Sequence, residues 1–301
     1  MGLRPALDDL LELRHQARAI GVASRHLVSS SFAGVYASVF HGQGLDFDEV
    51  REYAEGDDIR NMHWKVTART NEPHLKVYRE ERERNVLLCV DRGPRMDFGT
   101  RGTFKSVQAA HATALIGWAA NRMHDRVGGL LYGTETQHFR PTKDRRALWR
   151  LLKALTEEAL PAPETDDALT TALRRADHGT PTGSLIFVVG DFNLSPSRFE
   201  RPLGQLTQRH AVVLVAVDDP AERDLPAIGR VLFRDPAGDM REVDTDDPAG
   251  REAYRNEWQH RRGALQSMCN RLGVRLVAVR TDEDVRHAMI FGLRHHAAGR
   301  R

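Results

Sequence analysis

The chain has 301 residues, of which 41% are hydrophobic, a content typical of folded proteins with one large or two small domains. Its 44 basic and 42 acidic residues nearly cancel to a net charge of +2, which gives no general electrostatic reason to expect nucleic acid as a partner. The two cysteines, Cys89 and Cys269, lie far apart, which argues against a disulfide scaffold and favours a reducing, cytoplasmic location. The N-terminus is too charged for a signal peptide, and no apolar run is long enough to form an integral membrane segment.

The first part of the chain mixes one periodic segment with irregular sequence. Helical spacing of apolar residues predicts an amphipathic helix over 5–20. The sequence that follows is rich in glycine, charge and isolated aromatic residues, and it predicts short strands at 34–40 and 74–82. We therefore treat 1–84 as an N-terminal helix with a small β-rich extension. The sequence leaves open whether this region folds separately or wraps the α/β domain that we expect over 85–301.

From residue 85 onward, predicted strands and helices alternate. Short apolar runs predict buried strands, and amphipathic runs predict helices. The predicted strands are 86–91, 126–133, 136–141, 184–192, 211–218 and 274–279, with a hairpin over 231–244. The predicted helices are 105–124, 144–158, 167–176, 196–209, 249–272 and 282–296. This alternation predicts a doubly wound, mainly parallel α/β sheet with ligand sites at the carboxyl ends of its strands.

Three aspartates fall at predicted strand ends: Asp91, Asp191 and Asp218. With this element order and the loop after Asp91, residues 85–301 resemble a von Willebrand factor A domain, in which the first strand runs into a metal-site loop of the pattern Asp-x-Ser-x-Ser. That resemblance implies an octahedral oxygen site for a divalent cation such as Mg²⁺. It assigns the metal ligands of this chain to Asp91, to Thr165 and to Asp191.

This loop departs from the von Willebrand pattern at both serines. Gly93 has no side-chain oxygen, and Arg95 carries a positive charge. The loss of two of five ligands argues against tight Mg²⁺ binding, and we expect no cofactor. Two interpretations remain open. In one, the site has decayed, Asp91 caps a helix or bonds a neighbouring loop, and Arg95 is solvated. In the other, the Arg95 guanidinium replaces the cation, by pairing with Asp91 or Asp191 or by binding an acidic partner.

The region before the first α/β strand carries several separated signatures in order. It resembles the bacterial family called domain of unknown function 58, and it departs from that family at His63, where an aspartate is common. The matching residues are Gly42-Gln43-Gly44-Leu45-Asp46-Phe47, Val50-Arg51-Glu52-Tyr53, Gly56-Asp57-Asp58-Ile59-Arg60, Trp64-Lys65-Val66-Thr67-Ala68-Arg69 and Tyr78-Arg79-Glu80-Glu81-Arg82-Glu83.

The resemblance implies a non-enzymatic adaptor that works with a MoxR-type AAA+ ATPase in chaperone-like assembly or stress response. The alternative is a metal-dependent hydrolase that uses Asp91 and Asp191, although the sequence supplies no evident general base. A nucleic-acid binder is disfavoured by the balanced charge.

The charged residues of the signature region allow two roles. In the structural role, Asp57 and Asp58 form a charge network with arginines, and Trp64 anchors the segment by burying its ring. In the docking role, four cations receive an acidic partner. Those cations are Arg51, Arg60, Lys65 and Arg69.

Overall fold

The chain divides into two compact units. A computed structural model describes residues 2–18, 36, 46–53, 62–70, 72–79, 84–158, 167–234 and 238–295. Met1–Val39 and Asn85–Arg301 form the larger unit, and Phe40–Arg84 form the smaller one. The N-terminal helix therefore belongs to the larger unit, whereas the sequence analysis grouped it with the signature region.

The smaller unit contains a two-stranded antiparallel sheet and a short helix. Strand β1 (Asp46–Glu52) pairs with β2 (His74–Arg79), with a bulge between Phe47 and Glu49. Helix α2 (Trp64–Thr70) lies between them in sequence. Two hydrogen bonds tie this helix to β2: His63 N donates to His74 O at 2.7 Å, and His74 N donates to Thr67 Oγ1 at 3.0 Å.

Trp64 does not anchor this segment as the sequence predicted. Its side chain is 68% exposed, and α2 buries none of its residues. The helix start is fixed instead by His63, whose Nδ1 accepts a hydrogen bond from Val66 N at 3.3 Å. An aspartate would accept the same bond at a helix N-cap, so His63 replaces the aspartate common in the resembled family by similar chemistry.

The larger unit contains the predicted alternation of strands and helices. It begins with α1 (Leu7–Arg18). Its strands are β3 (Asn85–Asp91), β4 (Arg126–Tyr132), β5 (Gln137–Thr142), β6 (Leu185–Gly190), β7 (Ala211–Asp218), β8 (Arg230–Arg234), β9 (Met240–Asp244) and β10 (Arg275–Arg280). Its further helices are α3 (Lys105–Arg122), α4 (Arg145–Thr156), α5 (Ala168–Gly179), α6 (Glu200–Arg209), α7 (Pro220–Arg223), α8 (Pro248–Leu272) and α9 (Val285–His295).

Six strands form the central sheet in the order β10-β7-β6-β3-β4-β5. All neighbouring strands are parallel except β4 and β5, which are antiparallel. Strands β8 and β9 form a separate hairpin. The predicted mainly parallel α/β sheet is therefore confirmed, and the carboxyl ends of β3, β6 and β7 lie side by side at one edge, which we call the carboxyl edge.

Helices cover both faces of this sheet, so its central strands are apolar throughout. On one face, α5, α6 and α8 pack against alternate strand residues such as Leu87 and Cys89. On the other face, α3 is buried along its length between the sheet and α1, α4 and α9. Trp118 of α3 joins this layer to α1 by donating its Nε1 proton to Leu10 O at 2.9 Å. No helix among the described residues is long and apolar enough to cross a membrane.

The strand predicted over 34–40 is wrong at Tyr36, which is the residue of that range that the structure describes. Tyr36 is helical and 2% exposed. Its ring stacks on Phe187 with centroids 6.5 Å apart, and its hydroxyl donates to Asp125 Oδ2 at 3.0 Å. Valine and aromatic residues favoured a strand locally, but tertiary packing of the ring decided the conformation.

Candidate functional site

Asp91 is the last residue of β3, and its side chain bonds to the loop that follows the strand. Its Oδ1 accepts a hydrogen bond from Gly93 N at 2.7 Å, which closes a tight turn. Gly133, which follows β4, packs against this turn with a φ of +88°. A Cβ at Gly133 would lie 2.4 Å from Asp91 Oδ1, so the approach of the two loops requires glycine.

The two lost serine positions play different parts in the structure. At Gly93, a Cβ would lie 3.0 Å from Asp91 Oδ1, so even a serine would require this carboxylate to move. Arg95 lies half-buried in the 3₁₀ turn Pro94–Met96, and its Nη1 donates to Asn193 O at 3.4 Å. Arg95 thus connects the loop after β3 to the loop after β6.

Asp191, directly after β6, is held by a buried lysine that the sequence analysis did not single out. Its Oδ1 accepts from Asn193 N at 3.0 Å, in the same kind of turn as at Asp91. Its Oδ2 lies 3.2 Å from Lys105 Nζ, and that ammonium also donates to Glu222 Oε1 at 2.7 Å. The ammonium therefore sits between two carboxylates, one directly after β6 and one on α7, the helix that follows β7.

Lys105 is 1% exposed, and the two carboxylates beside its ammonium favour the charged form. Burial alone would lower its pKa, but the carboxylates of Asp191 and Glu222 outweigh burial and raise the pKa above its ordinary value. One sequence signal could have revealed the site. A lysine in the first turn of a helix opposes the helix dipole, so its place at the start of an apolar helix indicates a buried anionic partner.

Asp218, at the end of β7, pairs with Arg262 of α8, a helix on the face of the sheet opposite to α3. Its Oδ2 lies 2.6 Å from Arg262 Nη2, and the Arg262 guanidinium lies 6.0 Å from the centre of the Trp258 ring. These residues line a cavity of about 30 Å³ together with Asp191 and Glu222. Burial raises the pKa of Asp218 to about 6, although Arg262 acts to lower it.

The pKa of Asp219, the next residue, is shifted in the opposite direction, below its ordinary value. Asp219 is 1% exposed, and its carboxylate accepts from Thr100 N at 2.8 Å, Thr281 Oγ1 at 2.6 Å and Ala221 N at 2.9 Å. Burial would raise its pKa, but hydrogen bonds from the two threonines dominate and lower it. Asp219 also caps α7 in a capping box with Glu222, which orients Glu222 towards Lys105.

The described residues of this edge do not fit a divalent cation. Thr165, the predicted third ligand, lies outside the described residues. Among the residues described, no three His, Cys, Asp or Glu side chains form a metal-binding group. Both oxygens of Asp191 already accept hydrogen bonds, and the nearby Lys105 ammonium would repel a second cation. Asp191 is thus paired with a cation that the chain itself supplies.

The four cations of the signature region are only partly described. Arg60 lies outside the described residues, and for Arg51 the structure gives only the backbone pairing with Leu75. Lys65 and Arg69 are exposed and lie four residues apart on α2, hence on one side of that helix. Their contact with an acidic partner stays a prediction.

The chain is similar to known proteins over most of its length. A family model described as "Protein of unknown function DUF58" matches residues 49–264. Uncharacterized proteins of Mycobacterium tuberculosis and Mycobacterium bovis are each 30% identical to it over 287 residues, covering 94% of this chain and 89% of theirs. The crystal structure of the conserved hypothetical protein BatB from Bacteroides thetaiotaomicron aligns with 71% of this chain and 99% of BatB, at 16% identity and a TM-score of 0.40.

Proposed function

Because the chain belongs to the DUF58 family of proteins of unknown function, we propose that it is a non-enzymatic interaction protein. In this proposal its partner is a MoxR-type AAA+ ATPase, as the sequence resemblance implied, and its task is chaperone-like assembly or stress response. The proposal keeps the cytoplasmic location inferred from the cysteine content.

The buried ammonium of Lys105 is the observation that carries this proposal. It lies between Asp191 and Glu222, within 3.2 Å and 2.7 Å of their oxygens. In a von Willebrand A-type domain, a divalent cation would supply positive charge to an edge of this kind. We infer that Lys105 supplies that charge permanently, so that partner binding at the carboxyl edge does not depend on metal.

A hydrolytic role is less well supported by the same contacts. Metal-dependent hydrolysis through Asp91 and Asp191 needs a carboxylate oxygen free to hold a cation or activate water. Both Asp191 oxygens are engaged, and Asp91 Oδ1 closes its own turn. A carboxylate held in this way stabilises the loop and leaves little capacity for proton transfer.

The surface proposed to receive the partner centres on Asn193. Arg95 donates to the Asn193 backbone carbonyl, and Arg261 Nη1 donates to its side-chain Oδ1 at 2.6 Å. The two guanidinium groups therefore flank one asparagine at the carboxyl edge. Such a surface suits an acidic partner, because guanidinium groups form bidentate hydrogen bonds with carboxylates. The exposed cations Lys65 and Arg69 of the smaller unit form a second proposed contact.

The test uses a purified MoxR-type ATPase from the same organism, kept nucleotide-free so that its own Mg²⁺ requirement does not interfere. Its binding to this protein is measured by biolayer interferometry, with EDTA and with Mg²⁺. We expect equal affinity in both conditions. We also expect Arg95→Glu to weaken binding by about tenfold or more, because it places a negative charge against an acidic partner.

The matched control is Arg201→Glu, which reverses the charge of an exposed arginine on α6. It is expected to leave the affinity unchanged. No binding of the ATPase would overturn the proposed partnership. Binding that EDTA abolishes and Mg²⁺ restores would overturn the metal-independent role of the carboxyl edge.

A further inference from the structure

A wide cleft lies at the opposite end of the sheet from the carboxyl edge. It is bounded by α1, by the end of α3 and by the start of α4. The end of α3 leads into β4 and the start of α4 follows the end of β5, so both helix ends lie near the amino ends of the parallel strands. Two adjoining cavities of about 680 Å³ and 480 Å³ share Arg14, Trp118 and Arg145 as lining residues. Cavities of this size hold several side chains of a ligand.

The lining of the cleft is cationic in a chain whose charges otherwise balance. Arg14, Arg122, Lys143, Arg145 and Arg146 all line it, and all are exposed. Over the described part of the chain, the guanidinium groups of Arg14, Arg145 and Arg146 form no ion pair with a carboxylate. Many other exposed arginines do form such pairs, as Arg209 does with Asp177 at 3.2 Å. The charges of Arg14, Arg145 and Arg146 concentrate positive potential in the cleft.

The cleft also offers an apolar contact, and its two ends differ in charge. Trp149 lines the larger cavity and is 39% exposed, with Lys153 Nζ 5.5 Å from the centre of its ring. Asp8 and Glu12 of α1 line this end as well. At the other end, the smaller cavity contains a single carboxylate, Asp125, which is buried and accepts a hydrogen bond from Tyr36.

We propose that this cleft binds an acidic segment of a partner protein. The carboxylates of the segment pair with Arg14 and Arg145, which line both cavities, and an adjacent apolar side chain packs on the Trp149 ring. The segment carries no acidic residue where it passes Asp8 and Glu12, because like charges would repel there. Charge complementarity thus sets both the affinity and the direction of the segment.

A uniform polyanion fits the cleft less well than a peptide does. A nucleic acid carries a phosphate at every nucleotide, so part of its backbone would lie against Asp8 and Glu12. A peptide can place its carboxylates at the cationic end alone. The breadth of the cleft, which residues of three helices line in the described part of the chain, also suits an extended or helical peptide segment.

The binding experiment uses fluorescence anisotropy with three labelled probes and the full chain. The first probe is a synthetic peptide with a cluster of aspartates and glutamates followed by leucine and an uncharged tail. The second has lysine in place of every acidic residue, and the third is a single-stranded oligonucleotide of the same charge as the first. We expect saturable binding of the acidic peptide that weakens as salt is added, and no saturable binding of the lysine peptide.

Variants locate the binding site. Arg145→Glu and Arg14→Glu are each expected to weaken binding of the acidic peptide by about tenfold or more, and Trp149→Ala is expected to weaken it without changing the salt dependence. The matched control is Arg175→Glu on α5, an exposed arginine that lies outside the cleft. It is expected to bind as the parent does.

Three results would overturn the proposal: no saturable binding of the acidic peptide, equal binding by Arg145→Glu and the parent, or tighter binding of the oligonucleotide through the same arginines. The proposal does not rest on the ATPase partnership, since the cleft and the carboxyl edge lie at opposite ends of the sheet. Failure of the peptide to bind therefore leaves the test at Arg95 unaffected, and failure at Arg95 leaves this one unaffected.

Discussion

The carboxyl edge and the cleft between α1, α3 and α4 handle charge in opposite ways. At the carboxyl edge, Lys105 and Asp218 are buried, and each pairs with a partner inside the protein. In the cleft, Arg14 and Arg145 are exposed and, among the described residues, unpaired with any carboxylate. The buried charges at the edge are thus paired within the protein, whereas the guanidinium groups of Arg14 and Arg145 in the cleft remain available to another molecule.

This difference leads to a general expectation for substitutions in the two regions. Removing one member of a buried pair leaves an uncompensated charge in a low-dielectric site, which destabilises the fold strongly. Removing an exposed cation changes the free energy of unfolding little, because water solvates both states. Substitution of a charge buried at the edge should therefore alter stability, and substitution of an exposed cation in the cleft should alter binding alone.

The largest effect is expected for Lys105→Met. Methionine keeps most of the volume but leaves Asp191 and Glu222 buried without their cation, so the free energy of unfolding should fall by about 3–5 kcal/mol. Urea denaturation followed by circular dichroism measures this change. The control is Lys153→Met, whose ion pair with Glu157 is exposed and 3.8 Å long. A loss at Lys105 no larger than the loss at Lys153 would contradict an internal cation.

A pH-dependent effect is expected for Asp218→Asn. The pKa of Asp218 is raised from 3.8 to about 6, so the folded protein holds this proton more tightly than the unfolded chain does. Ionisation as the pH rises from 3.8 through 6 therefore costs stability. At about 1.36 kcal/mol per pKa unit, the stability of the parent relative to Asp218→Asn should fall by about 3 kcal/mol across that range.

Stability curves of the parent and of Asp218→Asn, measured by urea denaturation at pH values on both sides of that range, check this effect. Parallel pH profiles would mean that Arg262 keeps the carboxylate ionised throughout. In that case the pKa of Asp218 would not be raised, and this ion pair would resemble an exposed one.

Asp219→Ala is expected to have an intermediate effect. It removes the α7 cap and the hydrogen bonds from Thr100 and Thr281, which should cost roughly 2 kcal/mol. Asp144→Ala removes an exposed cap of α4 in which the side chain accepts from Arg146 N, and it should cost about half as much. Equal losses of unfolding free energy in the two variants would show that the bonds to Thr100 and Thr281 add nothing.

The smallest effect on stability is expected in the cleft. Arg145→Glu should change the free energy of unfolding by no more than about 0.5 kcal/mol, because Arg145 is exposed and is not ion-paired among the described residues. Thermal and urea denaturation of this variant test the expectation. A loss comparable to that of Asp219→Ala would assign Arg145 a structural role and remove the contrast between the two regions.

The fold could be predicted from local sequence patterns, but the pairing of buried charges at the carboxyl edge could not. The buried runs 86–91 and 211–218 and the amphipathic helices gave the elements, and their alternation gave the parallel sheet with Asp91, Asp191 and Asp218 at its edge. The partner of Asp191 was missed because Lys105 lies 86 residues away in sequence. A pairing between distant residues leaves no periodic trace in the sequence.

Two errors show where tertiary structure overrode a local preference. Tyr36 lies in a run that favours a strand, yet it is helical and stacks on Phe187. Trp64 was expected to bury its ring, yet His63 caps the helix and Trp64 is exposed. In both cases, contacts made by a neighbouring or distant residue decided what the local composition left undetermined.

Whether Lys105 supplies the positive charge of the carboxyl edge is tested most directly by a metal titration of the parent protein. The protein is stripped with EDTA, and its free energy of unfolding is then measured as Mg²⁺ is added. A site saturated to about 100 times its dissociation constant would add about 2.7 kcal/mol. Because Lys105 already supplies the charge, we expect no saturable change. A stabilisation that saturates with Mg²⁺ and disappears in Asp191→Asn would contradict it.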